Sequence, residues 1–128
     1  MKESPFAQIP TAERIATNCS AFAIWDRFPV TPGHALVIPN RLISAWWEAS
    51  DEEQVDLLHL LREVRILIEE KYEPDGFNIG INVGEAAGQT INHLHLHLNS
   101  NFVLILLHLQ NHQLQKKYYG GYHLLRHL

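Results

Sequence analysis

The sequence predicts an α+β domain with an antiparallel sheet, because short strand patterns lie before and after one dominant helical pattern. The chain has 128 residues, 46% of them hydrophobic, which suits one domain with a buried core. Its net charge of −4 argues against a nucleic-acid partner held by bulk positive charge. The single cysteine, Cys19, excludes an intramolecular disulfide framework and fits a reducing compartment.

The long helix is predicted over about residues 51–72. Ser50 and Glu53 form a capping box, and the three acidic residues at 51–53 suit the positive end of the helix dipole. Six apolar residues recur at helical spacing: Val55, Leu58, Leu61, Val64, Leu67 and Ile68. Proline disfavours helix in the residue before it, so the segment Glu73-Pro74-Asp75-Gly76 ends the helix.

Strands are predicted upstream and downstream of this helix: around Arg14 to Thr17, Ser20 to Trp25, His34 to Ile38, and Phe77 to Val83. The strands at Ser20 to Trp25 and His34 to Ile38 are expected to pair in antiparallel fashion. The turn between them, at residues 28–33, contains two prolines and a glycine. Pro39 is expected to stop the second of them. Alternation in the last strand puts Phe77, Ile79, Ile81 and Val83 on one face.

Histidines are concentrated late in the chain, where seven of the nine lie within residues 93–127. All 14 acidic residues lie within residues 1–85. Residues 93–98 read HLHLHL, and successive side chains of a strand point to opposite faces. Leu94, Leu96 and Leu98 are therefore expected on the core, and the three histidines, His93, His95 and His97, on the opposite face.

Three interpretations of this histidine face are open: a catalytic site, a metal site and a structural role. His-x-His on a strand is a good ligand pair, but four strand residues span roughly 13 Å, whereas zinc–nitrogen bonds are about 2.0–2.1 Å. All three imidazoles therefore cannot readily share one ion, although two adjacent ones could, with His34 as a third ligand.

The segment before the histidines favours catalysis on an anion. The loop Gly84 to Gly88, followed by Gln89 and Thr90, offers flexible backbone amides and two polar side chains. A phosphate between amide donors and imidazoles is chemically sensible. Imidazole is also a competent nucleophile towards phosphorus, because it is partly neutral near pH 7.

Three segments of the chain carry a family resemblance. GQTINHLHLHL resembles the signature of the histidine triad (HIT) superfamily, SAFAIWDRFPVTPGHALVIPNR resembles the segment with a ribose-binding acid and a fourth histidine, and PDGFNIGINVG resembles the strand before the active-site loop. The resemblance covers about residues 5–98 and points to small bacterial dinucleoside-polyphosphate hydrolases and nucleoside phosphoramidases. It implies a HIT-like antiparallel sheet of about five strands with one long and one short helix, in a homodimer.

The resemblance implies hydrolysis of a phosphoanhydride or phosphoramidate at the α-phosphate of a purine nucleoside 5′-phosphate. His95 would be the nucleophile, His97 would contact the phosphate, and His93 and His34 would form the supporting network. Asp26 would hold the ribose. The remaining contacts would be Asn82, Gln89 and Thr90 to phosphate, and Phe6, Ile9 and Ile24 to the purine, although ordinary core packing explains the last three equally well. No cofactor is required, and magnesium could accompany a polyphosphate substrate.

Other outcomes stay open at this point: a nucleotidyl transferase or phosphorylase with the same intermediate, an inactive nucleotide-binding module, and a small His-x-His metalloprotein. The N-terminus lacks the apolar stretch of a signal peptide, and the run Phe102 to Leu109 is too short to span a bilayer as a helix. We therefore expect a cytoplasmic protein with no membrane partner.

The resemblance ends near Leu98. We expect a HIT domain over residues 1–98 and a divergent tail over residues 99–128, packed on the same domain or continuing it. Such a tail could form a strand at Phe102 to Leu109 and a short helix after Asn111. A reading-frame change after the triad is the competing hypothesis for its foreign composition.

Overall fold

The computed structural model describes residues 4–103 of the chain. Its five strands are β1 (Arg14–Thr17), β2 (Ala21–Trp25), β3 (Ala35–Pro39), β4 (Gly76–Ile81) and β5 (Leu96–Asn101). They form one antiparallel sheet in the order β1-β2-β3-β5-β4, with helix α1 (Asp51–Tyr72) between β3 and β4 in the chain. Short 3-10 helices lie at Pro5–Gln8, Thr11–Glu13, Trp46–Glu48 and Glu85–Ala87. The predicted α+β class is confirmed.

Helix α1 begins and ends where its capping residues predict. The Ser50 hydroxyl accepts a hydrogen bond from the Glu53 amide at 3.1 Å, and the Glu53 carboxylate accepts one from the Ser50 amide at 3.0 Å. At the other end, Glu73 adopts a left-handed conformation with φ of 49°, and its amide donates to the carbonyl of Glu69. Both ends agree with the predicted range.

The predicted apolar stripe of α1 is wrong in part. Val55, Leu58 and Leu67 are 37–49% exposed. The buried stripe consists of Leu57, Leu60, Leu61, Val64 and Ile68. Apolar residues cover more than one face of this helix, so spacing alone leaves its rotation open. The rotation follows from Asp56, whose side chain and carbonyl accept hydrogen bonds from Ser20 and Asn18 in the β1–β2 turn.

Strands β2 and β3 carry small side chains under α1 and large ones on the opposite face of the sheet. The face under α1 bears Ala21, Ala23, Ala35 and Val37, together with Leu94, Leu96 and Leu98. The opposite face bears Phe22, Ile24, Leu36 and Ile38, which pack against Phe6 and Ile9 of the N-terminal segment. Because both faces of β2 and β3 are covered, the histidine face of the sheet is enclosed rather than open to solvent.

Pro39 is the last residue of β3 rather than the residue that stops it. It pairs with Ala21 of β2. The Asn40 amide donates to the Ser20 carbonyl, so the Pro39 nitrogen faces the β5 side of the strand. The β3–β5 ladder has already ended there, at Val37 and Leu96. The missing N–H of proline therefore costs no ladder hydrogen bond.

Two other strand boundaries differ from the prediction. Strand β4 ends at Ile81, so Val83 lies beyond it, and Ile79 is 61% exposed. Strand β5 begins at Leu96 rather than His93, although the predicted alternation of leucines and histidines holds through both segments. It continues to Asn101, which pairs with Gly76.

Three residues of the segment assigned to the tail, residues 99–101, therefore belong to the sheet. The Ser100 hydroxyl donates to the Gly33 carbonyl at 2.8 Å, which fastens β5 to the turn before β3. The strand predicted at Phe102 to Leu109 does not include Phe102 or Val103, and its remainder and the helix predicted after Asn111 lie outside the described residues. Within residues 4–103, no helix is long and apolar enough to cross a membrane.

Candidate active site

A cavity of about 330 Å³ lies on the face of the sheet opposite α1. It brings together seven of the predicted site residues: Phe6, Ile9, Ile24, Asp26, Thr90, His95 and His97. His95 and His97 lie on or beside the central strand β5, and their ring centroids are 4.9 Å apart. Two imidazoles, a carboxylate and an apolar wall therefore share one cavity.

His95 is held in one tautomer by the backbone. Its Nδ1 lies 2.7 Å from the carbonyl oxygen of His93. A carbonyl only accepts, so Nδ1 carries the proton, and Nε2 of the neutral ring holds the lone pair. Burial lowers the pKa of His95, against the opposing effects of this hydrogen bond and of Asp26. The ring is thus neutral at pH 7, with a nucleophilic nitrogen available.

His93 lies behind His95 and is 2% exposed. Its Nε2 donates to the Pro39 carbonyl at 2.8 Å, which leaves Nδ1 to accept from the Ser4 hydroxyl at 2.7 Å. Burial lowers the pKa of His93. Both ring nitrogens are used by the protein, so His93 acts as a support that fixes the backbone carbonyl bound to His95.

His34 and His97 form a second imidazole pair. The Val30 amide donates to Nδ1 of His34 at 3.2 Å, so the His34 proton is on Nε2. That nitrogen lies 3.1 Å from Nδ1 of His97 and 3.4 Å from a carboxylate oxygen of Asp26. Donation to His97 leaves the proton of that ring on Nε2. One backbone amide therefore orders the tautomers of two histidines.

All four site imidazoles are held neutral. Burial lowers the pKa of His34, partly offset by Asp26 and reinforced by His95. Burial, with the neighbouring His95 and His34, lowers the pKa of His97 to about 3. A cluster of protonated rings at these separations would repel, so the site keeps nucleophilic and hydrogen-bonding imidazoles at physiological pH.

The apolar wall of the cavity serves two roles at once. Phe6, Ile9 and Ile24 are buried with Leu36 in the core of this face, and they also line the cavity. The Phe6 ring meets the His95 ring edge-on, with centroids 5.2 Å apart. Core packing and a slot for a purine are therefore compatible descriptions of the same side chains.

Asn82 and Gln89 lie outside the lining of the cavity. Asn82 donates to the Ala87 carbonyl, and Gln89 accepts from the Gly84 amide while donating to the Ser44 carbonyl. The amides of Ala87, Gly88 and Gln89 also donate within the loop. These groups hold the loop in shape, and their contact with phosphate stays a prediction. Of the loop residues predicted to contact phosphate, Thr90 alone lines the cavity, and the fourth predicted phosphate contact, His97, lines it too.

A metal-type grouping is present, formed by Asp26, His34 and His97, whose ligand atoms lie within 4.8 Å of one another. The tautomer of His34 opposes coordination. Binding a metal through Nε2 would move the His34 proton to Nδ1, which already accepts from the Val30 amide. The three donor groups are therefore close enough to bind one ion, but the proton on Nε2 of His34 occupies the position that the ion would need.

Several residues of the site escaped the sequence analysis. Ser4 could have been found, because serine before proline is a typical helix N-cap, and its hydroxyl does accept from the Phe6 amide. Leu36 and Ile91 line the cavity as ordinary strand and loop apolar residues. The Val30 amide carries no side-chain signal. Phe28 and Arg27 lie in the turn and also line the cavity.

Comparison with known proteins agrees with this architecture. AP-4-A phosphorylase of Mycobacterium tuberculosis is 30% identical over 114 residues, which cover 80% of this chain and 58% of the relative. Bis(5'-adenosyl)-triphosphatase of Dictyostelium discoideum is 34% identical over 90 residues, covering 70% and 60%. Asymmetrical bis(5'-nucleosyl)-tetraphosphatase of Schizosaccharomyces pombe is 35% identical over 99 residues, covering 76% and 54%. The chain spans between half and two thirds of the length of these curated relatives.

Solved structures and a family model point the same way. A HIT family protein from Bacillus subtilis superimposes with a TM-score of 0.73 at 30% identity, covering 80% of this chain and 75% of that one. The Caenorhabditis elegans NitFhit protein gives a TM-score of 0.74 at 28% identity, covering 80% and 25%. The model of the HIT domain matches residues 8–102, a range that contains all five strands, α1 and the four site histidines. The chain therefore belongs to the HIT domain family.

Proposed function

We propose that the protein is a nucleotide hydrolase that cleaves a phosphoanhydride or phosphoramidate at the α-phosphate of a nucleoside 5′-phosphate. The observation that carries the proposal is the state of His95, a buried neutral imidazole whose Nδ1 proton is held by the His93 carbonyl. Relatives whose names describe nucleotide phosphorolysis or hydrolysis support the same class of reaction.

In the first step, the Nε2 lone pair of His95 attacks the α-phosphorus. The bond from phosphorus to the leaving group breaks, and the leaving group departs with that electron pair. A polyphosphate leaves as its anion, whereas an amine takes up a proton from solvent water as it leaves. The His95 ring becomes positively charged when Nε2 is bonded to phosphorus while Nδ1 keeps its proton. The His93 carbonyl and the Asp26 carboxylate, both of which favour the charged ring, stabilise this intermediate.

In the second step, water attacks the phosphorus of the nucleotidyl-His95 intermediate. The phosphorus–nitrogen bond breaks, its electron pair returns to Nε2, and the water proton is released with the nucleoside monophosphate to solution. His97 presents an ordered imidazole N–H, which can stabilise negative charge on the phosphoryl oxygens in both steps. Nothing in either step requires a metal ion held by the protein, and magnesium would travel with a polyphosphate substrate.

Trapping the intermediate tests the proposal. The protein is mixed with a panel of adenylated and guanylated dinucleoside polyphosphates and phosphoramidates, quenched without acid, and analysed by intact and peptide mass spectrometry. We expect a nucleotidyl adduct on His95 and its absence in His95→Ala. The matched control is His59→Ala, since His59 is an exposed histidine on α1. Full turnover by folded His95→Ala, or an adduct on another residue, would contradict the mechanism.

Product analysis separates the alternatives. Hydrolysis places oxygen from labelled water in the released monophosphate, whereas a phosphorylase forms the nucleoside diphosphate when inorganic phosphate is added. The phosphorylase outcome has support in the similarity to AP-4-A phosphorylase. Nucleotide binding without turnover would indicate a binding module. Near-stoichiometric zinc in protein purified without a metal column would favour the metalloprotein instead.

A further inference from the structure

Phe28 is the most exposed large apolar side chain among the described residues, with 88% of its surface accessible. An isolated exposed phenylalanine needs no explanation by itself. Phe28, however, also lines the cavity that contains His95 and His97. It therefore lies at the mouth of the site, with most of its surface in solvent.

The turn that carries Phe28 is firmly held. The Phe28 amide donates to the Asp26 carboxylate at 3.0 Å, and Arg27 forms an ion pair with Glu13 at 3.1 Å. Further along the turn, Thr31 donates to the Ser100 carbonyl of β5. The aromatic ring is thus presented from an ordered backbone, and Asp26 links its position directly to the site.

The cavity is small. Its volume of about 330 Å³ is near the lower end of the roughly 300–1,000 Å³ typical of small-molecule sites. A dinucleoside polyphosphate carries two nucleosides, so when one base occupies the apolar slot the second must lie at or beyond the mouth. Among residues 4–103, Phe28 is the exposed aromatic side chain that lines the cavity, and base–aromatic stacking is favourable for every base.

We propose that Phe28 is the platform for the distal nucleobase of a dinucleoside polyphosphate, and that it makes this substrate class the preferred one. The inference rests on the proposed function, because it assigns the leaving group of that same reaction. The leaving group is a nucleoside polyphosphate whose base stacks on Phe28 while its phosphate chain runs from the mouth to His95.

The test uses two substrates that differ only in the second nucleoside: diadenosine triphosphate and adenosine triphosphate. Phe28→Ala should raise KM for diadenosine triphosphate by about 5- to 160-fold, the range of one base stack. Its kcat should stay the same, because stacking is equal in the ground and transition states. The KM for adenosine triphosphate should rise by a much smaller factor, because this substrate has no second base to stack on Phe28. Phe28→Trp should keep or lower KM for the dinucleotide.

Trp47→Ala is the matched control. Trp47 is 73% exposed but does not line the cavity, so its loss should leave both substrates unaffected. When one substrate turns over too slowly for kinetics, the Kd of both nucleotides is measured instead. The two proteins compared are His95→Ala and the double variant that also carries Phe28→Ala. Equal losses for both substrates, or no loss for either, would overturn the role of Phe28. Absence of turnover and binding in the unsubstituted protein would instead refute the proposed function.

Discussion

Replacing Gly33 by alanine should damage both the fold and the site. Gly33 adopts φ of +81°, a conformation that L side chains rarely adopt. An added Cβ would lie 2.7 Å from the Ser100 hydroxyl, 3.0 Å from the Tyr72 ring and 3.3 Å from Ile68. Two of these neighbours belong to α1 and one to β5, so the new methyl group would press against the packed interior.

The size of the effect follows from two terms. A left-handed backbone costs a non-glycine residue roughly 1–2 kcal/mol, and inserting a methyl group into a well-packed core costs roughly 1–3 kcal/mol. We expect Gly33→Ala to lower the free energy of unfolding by about 2–5 kcal/mol. For a domain of this size the melting temperature should fall by at least about 8 °C. Since His34 follows directly, kcat should also fall.

Urea unfolding followed by circular dichroism measures this prediction. Gly80→Ala is the matched control, because a Cβ at Gly80 would meet no atom within 4 Å. Adding Ser100→Ala to Gly33→Ala removes the nearest clash and should recover part of the loss. If Gly33→Ala and Gly80→Ala had the same unfolding midpoint, the reasoning from positive φ and close contact would be refuted.

Three further predictions concern charge and capping. Unfolded histidine titrates near pH 6.5, whereas burial holds the pKa of His97 at about 3 in the folded protein. Unfolding therefore takes up protons below pH 6.5. The urea concentration at the midpoint of unfolding should fall from pH 7 to pH 5 but stay level from pH 7 to pH 8. Ser50→Ala should lower the free energy of unfolding by about 1 kcal/mol in urea titrations with KM unchanged; an equal midpoint would contradict the capping box. Ser4→Ala should reduce kcat and alter its pH profile by loosening His93, whereas Ser4→Thr should retain both; identical profiles for all three proteins would refute this support.

Elements with a strong local signal could be predicted from the sequence. The capping box fixes the start of α1 through contacts three residues apart, and Pro74 marks its end, so both ends agree with the prediction. Alternation of leucine and histidine fixes the faces of residues 93–98 for the same reason. The rotation of α1 could not be predicted, since it depends on Asp56 meeting the β1–β2 turn, a contact between distant segments.

The site was predictable in its members but not in its protonation. The family resemblance assigned His34 and Asp26 to the same site as the histidine triad. In the structure, Nε2 of His34 lies 3.4 Å from a carboxylate oxygen of Asp26. The tautomer of His34 follows from the Val30 amide, and that of His95 from a carbonyl. Backbone groups are the same in every residue type, so no sequence pattern reveals which imidazole nitrogen carries the proton.

The histidine side of the cavity and the side formed by the N-terminal segment should differ in how often their backbone hydrogen bonds open. The imidazoles are carried on or beside the central strand β5, whose leucines lie in the core under α1. Amide protons of β5 and β3 are therefore expected to exchange with deuterium only through global unfolding. The opposite wall comes from the short 3-10 helix at Pro5–Gln8, which holds few backbone hydrogen bonds. Its amides should exchange through brief local opening, which would admit a nucleotide while β5 keeps the backbone of the histidines in place.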